Sequence, residues 1–216
     1  MAVSFVNKAV ATNGTTGATS IAVSYSPTAG NYVVVIVSLS ATVTSPSVKD
    51  QNSNALTVSL FNSGKSIIAY GAAVSGATTY TASWTTSADA SICIGEYSGV
   101  VGVGTTNSAT GSSTTISVSL TSTFLNSWAV CGMTQGSGTN TFTASVGNLR
   151  CQEQGGSATA NTCAINDNSG TSIGSSIVNT CTCLSNSWSA FSVELYPTQT
   201  PAGVPPAQLF IGGSMI

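Results

Sequence analysis

The stretch SICIGEYSGV, residues 91–100, decides how this chain is read. It is apolar at odd and even positions, it reaches a turn at Gly99, and between the two stands Glu96 beside Tyr97. A strand apolar on both faces belongs inside a β structure, covered from both sides. A carboxylate at the end of such a strand is either half of a catalytic pair or a cap for backbone N–H groups at a sheet corner. A second stretch has the same build: SAFSVELYP, residues 189–197, places Glu194 at the corresponding point. Two like strands with like carboxylates argue for a shared structural role, so Glu96 and Glu194 are read as corner caps rather than as an acid and base.

Around these strands the helical signal is nearly absent. Apolar residues do not recur at three-and-four spacing, and Ser, Thr, Val and Gly take the places that Ala, Leu, Glu and Lys would fill in helices. Short alternating or apolar runs recur instead, bounded by Gly, Asn, Ser and Pro. One set of strands is expected at 4–11, 20–25, 31–41, 55–61, 66–73, 78–84 and 90–97. A second is expected at 114–120, 127–134, 142–145, 149–154, 158–165, 175–181 and 188–196. The sets share a rhythm: TSIAVSYSPTAGNYVVVIVSLSA (19–41) is echoed by TTISVSLTSTFLNSWAVCGMTQG (114–136). The expected fold is all-β, a two-sheet antiparallel β-sandwich over residues 1–196, jelly-roll-like as first choice and immunoglobulin-like as second. Asn13-Gly14 suits a two-residue hairpin, KDQNSNA and NDNSG read as Asx-rich loops, and GVVGVG (99–104) reads as a mobile connection between the sets.

Composition narrows the function classes. Four Lys or Arg, six Asp or Glu and no His are present, against roughly 25% charged residues in an ordinary soluble domain. No clustered basic face exists to hold a phosphate backbone, so nucleic acid is not an expected partner. The most apolar run, YVVVIVSLSA from Tyr32, is far shorter than the ~20 residues of a membrane-spanning helix, and no membrane association is expected. The first residues, MAVSFVNKAVATNG, lack a basic segment followed by a continuous apolar stretch and are read as mature sequence. Low net charge weakens self-repulsion and suits a subunit of an assembly, here expected to be a homo-oligomer, with a trimer favoured.

Six cysteines occur without histidine and without C-x-x-C, which argues against zinc. Cys151 and Cys163 flank QEQGGSATANT and are candidates for a disulfide across a hairpin, the alternative being six small buried thiols. Gly170-Thr171-Ser172-Ile173-Gly174 matches G-x-S-x-G, yet no helix follows and no histidine exists to act as base, so no catalytic serine is expected. Asp50, Asn52 and Asn54 have alternating oxygen side chains, but Ala55 and Phe61 stand where an EF-hand needs Gly and Glu; an Asx turn is expected. No cofactor is expected. Asn13-Gly14-Thr15 is the one glycosylation sequon. Trp84, Trp128 and Trp188 are the side chains a carbohydrate-binding module would use, although strand alternation points them inward.

The order GNYVVVIVSLS, VKDQNSNALTV, SIIAYGAAVSGATTYTASW and SICIGEYSGV resembles β-sandwich domains in structural proteins of tailed bacteriophages and their prophages. The D-x-x-x-N turn (Asp50 to Asn54), the G-x-T-T-Y-T strand (Gly76 to Thr81) and the E-Y-S-G-V strand end carry it, closely over the first half and by rhythm over the second. The resemblance implies a non-enzymatic virion structural protein, a capsid decoration (cement) or minor capsid protein bound to the major capsid protein, assembled in the host cytoplasm. Alternatives are a tail or fibre component and an extracellular carbohydrate-binding module. Residues 197–216, PTQTPAGVPPAQLFIGGSMI, read as a proline-stiffened arm. Its apolar end, Leu209, Phe210, Ile211 and Ile216, is expected to anchor the subunit to a neighbour.

Overall fold

A computed structural model describes residues 1–14, 16–136, 138–155 and 161–199. The anchoring residues Leu209, Phe210, Ile211 and Ile216 lie outside these, as does Thr15 of the sequon. Fourteen strands form among the described residues. The first eight are β1 (Ser4–Thr12), β2 (Ala18–Ser24), β3 (Tyr32–Leu39), β4 (Ser47–Asp50), β5 (Thr57–Phe61), β6 (Ser66–Ala72), β7 (Thr79–Ala88) and β8 (Ala90–Ser98). Then follow β9 (Gly102–Thr121), β10 (Trp128–Gln135), β11 (Thr143–Val146), β12 (Asn148–Gln154), β13 (Thr162–Ser169) and β14 (Ser176–Tyr196). The pairings of these strands are antiparallel throughout the described residues.

A five-stranded sheet runs in the order β1-β8-β3-β6-β5, and a three-stranded sheet, β2-β7-β4, covers one of its faces. The strands of the larger sheet explain why. In β3, Val33, Val35 and Val37 point into the core shared with Ile21, Val23, Tyr80 and Trp84 of the smaller sheet, while Val34 and Ile36 point the other way. That second face packs on Val130, Ile165, Val193 and Leu195 of the C-terminal half. The doubly apolar pattern of β3 and β8 therefore belongs to a layer buried on both sides, as alternation demands.

The second half repeats the wiring of the first. β14 pairs with β10 through its C-terminal part and with β11 through its N-terminal part, with an irregularity between Thr182 and Asn186 where it turns over. β9 follows it along both parts. The result is the order β9-β14-β10-β13-β12, facing β9-β14-β11 across a core of Ile116, Val118, Cys131, Met133, Cys181 and Trp188. This order is that of the first half, with β9 standing for β1 and β2 together and β14 for β7 and β8 together. The echo between residues 19–41 and 114–136 thus marks equivalent strands. The antiparallel sandwich expected from sequence is present, stacked as two such units that share an inner core.

Three local expectations are corrected. Asn166 to Ser169 of NDNSG, expected in an Asx-rich loop, form the end of β13 and pair with β10, with Asn166 and Asp167 buried. Asn13-Gly14 does not close a hairpin, because β1 pairs with β8 and β2 with β7. It is the corner at which the chain passes between layers, and Asn13 fixes it by donating from Nδ2 to Ala88 O (3.2 Å) and accepting from Ala90 N (2.7 Å). Residues 102–104, expected in a mobile connection, begin β9 and pair with the end of β14. The missed half of β9 is polar because it is an edge strand exposed along most of its length.

Candidate functional site

The sheet corner at Glu96 is built from the SICIGEYSGV stretch and the loop between β2 and β3. Glu96 is buried and accepts hydrogen bonds from Tyr25 Oη (2.5 Å), Asn31 Nδ2 (2.5 Å) and Thr28 N (3.0 Å). Glu194, also buried, accepts from Thr123 N (2.8 Å), Phe124 N (3.1 Å), Thr105 N (3.0 Å) and the hydroxyls of Thr123 (2.6 Å) and Thr105 (3.2 Å). Each carboxylate pins the loop that enters the first inner strand of its own half, and the two share no partner. They are equivalent caps in the two repeats.

Burial acts to raise both carboxyls, and the donors outweigh it: Tyr25, Asn31 and Thr28 hold Glu96 below the ordinary range, and Thr123 and Thr105 do so for Glu194. A depressed carboxyl pKa contributes stability that is present above the unfolded value near ~4.3 and is lost as pH falls through the folded value. Asp167 and Glu153 shift the other way, raised by burial, in Asp167 against the charge and hydrogen bond of Arg150. Their cost to the folded state is felt at neutral pH and relieved as pH falls through the raised values. The urea midpoint is therefore expected to peak in mild acid and to fall below about pH 4. In a Glu96→Gln/Glu194→Gln double variant the acid-side fall should be much reduced, and an unchanged fall would contradict the assignment.

The rest of the corner follows from its sequence. Tyr97 is fully buried, points to the opposite face from Glu96, and donates from Oη to Asp167 Oδ2 (3.0 Å). Gly99 has φ +73°, and a Cβ there would lie 2.1 Å from the Ala2 carbonyl oxygen. Gly99→Ala is expected to cost about 2 kcal/mol, read as a lowered urea midpoint.

The strongest charged cluster lies on the seam between the halves. Arg150 Nε donates to Asp167 Oδ2 (2.7 Å), and its guanidinium stands 4.7 Å from the Phe5 ring centroid and 5.8 Å from that of Trp128. Phe5 and Tyr97 come from the first half, Trp128, Arg150 and Asp167 from the second. Toward the opposite end of the same interface, Ser66, Thr134 and Ser189 form a buried ring of hydroxyls with separations of 2.7, 3.1 and 2.6 Å. A cavity of about 380 Å³ opens on this seam, lined by Ser38, Ser63, Lys65, Gln135, Asn161 and Ser187 among others.

The remaining sequence candidates have structural surroundings. Asp50 accepts from Asn52 N (2.9 Å), Asn54 N (2.8 Å) and Asn54 Nδ2 (2.8 Å), closing an Asx turn. Gly170 to Gly174 is the turn from β13 to β14, where the Ser172 carbonyl accepts from Ser122 Oγ (2.5 Å) and Ser175 Oγ (2.6 Å). Trp84 and Trp188 are buried, donating from Nε1 to Ala18 O and to Ser113 Oγ, both at 3.0 Å, and Trp128 is half-buried against Tyr97. None of the three offers the exposed ring of a sugar platform. All six cysteines are free thiols. Cys151 and Cys163 lie on adjacent strands, yet the register pairs Cys151 with Ile165 and Cys163 with Glu153, so they are diagonal neighbours. Cys163 Sγ instead lies 3.3 Å from Cys93 Sγ of the first half. The seam itself was not foreseen from sequence, although the two-faced apolar pattern of β3 and β8 was its signal.

Comparisons with protein-family models, with curated proteins and with solved structures find no match to this chain.

Proposed function

We propose that the chain is a non-enzymatic structural subunit of a tailed-bacteriophage particle, a capsid decoration or minor capsid protein that binds the shell as a homo-oligomer. The observation that carries the reading is the doubled strand order. In each half a 1-8-3-6 set faces a 2-7-4 set, with the fifth strand beside the sixth, which we read as jelly-roll wiring, an architecture used by viral capsid domains. The corners that hold this wiring consume both strand-end glutamates, a use of carboxylates that serves a scaffold. Mass spectrometry of purified particles tests the proposal. Copy numbers near that of the shell protein support decoration, a few copies per particle move the subunit to the tail, and absence from particles overturns the reading. Deleting residues 208–216 should leave the sandwich folded and weaken attachment to the particle.

A second reading, saccharide binding, is favoured by the seam cavity. Its hydroxyls and amides offer both donors and acceptors, as a sugar ring requires, and its size lies in the range of small-ligand sites. Glycan-array binding by the full chain that is lost in Lys65→Ala would favour it over a purely structural role.

A further inference from the structure

Three thiols meet in the inner core, and they come from both halves of the chain. Cys93 on β8, Cys151 on β12 and Cys163 on β13 are all buried in the layer that also holds Val34, Ile36 and Ile165. Cys93 Sγ lies 3.3 Å from Cys163 Sγ and 3.5 Å from the Cys163 carbonyl oxygen. Cys151 Sγ is 4.0 Å from the Ile94 carbonyl oxygen, beside the same pair.

The sheet geometry selects among the pairings. Cys151 and Cys163 are offset by two residues across their ladder, and such diagonal neighbours stand about 7–8 Å apart. A disulfide normally needs Cα atoms within about 4.4–6.8 Å. Cys93 and Cys163 face each other across the layers with their sulfurs already in contact. A disulfide bond is about 2.05 Å long, so bond formation needs the sulfurs to close by about 1.3 Å.

We propose that Cys93 and Cys163 form a disulfide that ties the first half of the chain to the second, made by exchange with a small-molecule disulfide while the halves dock. In the first step one thiolate attacks the small disulfide, forming a mixed disulfide and releasing one small thiol. In the second, the other protein thiolate attacks the protein-side sulfur, the Sγ–Sγ bond forms and the second small thiol leaves. Two protein thiols are oxidised, one small disulfide is reduced to two thiols, and the two protons pass to those products. The timing follows from burial. Once the layers are packed, the sulfurs are out of reach of a molecule the size of glutathione, and burial pushes the Cys93 thiol far up, away from its reactive thiolate. The same burial protects the finished bond from reduction.

The test is to refold the reduced full chain in a mixture of oxidised and reduced glutathione and, in parallel, under dithiothreitol, and to map peptides without reduction. The Cys93–Cys163 linkage is expected to exceed any other pairing by roughly tenfold or more, as a pre-aligned pair outcompetes misaligned ones in exchange. The linked protein should melt several degrees higher than the dithiothreitol-refolded one. Cys131→Ser, in a separate core, should keep the linkage, and Cys163→Ser should lose both the linkage and the higher melting temperature. Peptide mapping of the unmodified chain decides the matter even where a variant fails to fold. Six free thiols after glutathione refolding, dominance of Cys151–Cys163 or Cys93–Cys151, or an unchanged melting temperature in the linked protein would overturn the proposal.

Discussion

Glu194→Ala is expected to destabilise the chain by about 3–5 kcal/mol, because it leaves the N–H groups of Thr105, Thr123 and Phe124 in partly buried positions without an acceptor. An unmade hydrogen bond at a buried group costs more than the net worth of a made one, and several are unmade at once. Glu96→Ala should fall in the same range, through Tyr25, Thr28 and Asn31. Glu→Gln keeps an acceptor oxygen but turns an NH₂ toward some of the same donors, so a smaller loss of about 2 kcal/mol is expected. Urea unfolding of the four variants measures this. Losses below about 1 kcal/mol would show that the corners hold without their caps.

The second large effect concerns the contact between the halves. Gly132 on β10 faces Ile36 on β3, and a Cβ on Gly132 would lie 2.6 Å from Ile36 Cδ1, 3.0 Å from its Cγ1 and 3.1 Å from its Cβ. The glycine has an ordinary extended φ, so its role is to let the two inner sheets approach. Gly132→Val should wedge them apart at a cost of about 3 kcal/mol, the upper range of overpacking in a tight core. Ile36→Ala alone should cost about 2–5 kcal/mol through the cavity it leaves. The double variant should recover part of the sum, since the new side chain fills the vacated space. Additive losses in the thermodynamic cycle would place the two side chains out of contact.

These two sites also mark what the amino-acid pattern discloses and what it conceals. The caps were legible because SICIGEYSG and AFSVELYP repeat a carboxylate at the end of an apolar strand, and a scarce charged residue in such a place has few uses. The apolar strands were legible from their lengths and flanking turns. The polar half of β9 was not, because an edge strand with its outer face in water carries no alternation, and Ser, Thr and Gly there look like a loop. β4 carries little strand signal, because it is four residues long and its last two, Lys49 and Asp50, open the Asx-rich KDQNSNA. The stacking of two sandwiches was concealed by its own chemistry. A face buried against a second copy of the same architecture has the same Val, Ile and Cys as a face buried against its own partner sheet; Gly132, the hydroxyl ring of Ser66, Thr134 and Ser189, and the Arg150–Asp167 pair depart from a generic core, but they are scattered along the sequence.

β14 ends at Tyr196, directly before the proline-rich arm, and its last residues are held on both sides, by β9 through Tyr196 to Gly102 and by β10 through Leu195 to Trp128. Traction applied at Pro197 along the strand direction loads these ladders in shear. The hydrogen bonds then share the force in parallel, whereas a strand pulled sideways from a sheet edge gives way one bond at a time. β9 and β10 clamp β14 along its C-terminal part, with Val193 and Leu195 packed beneath it, so its resistance to a pull at Pro197 is mechanical as well as thermodynamic. A subunit held to its neighbour by such an arm would bear tension through its longest ladder.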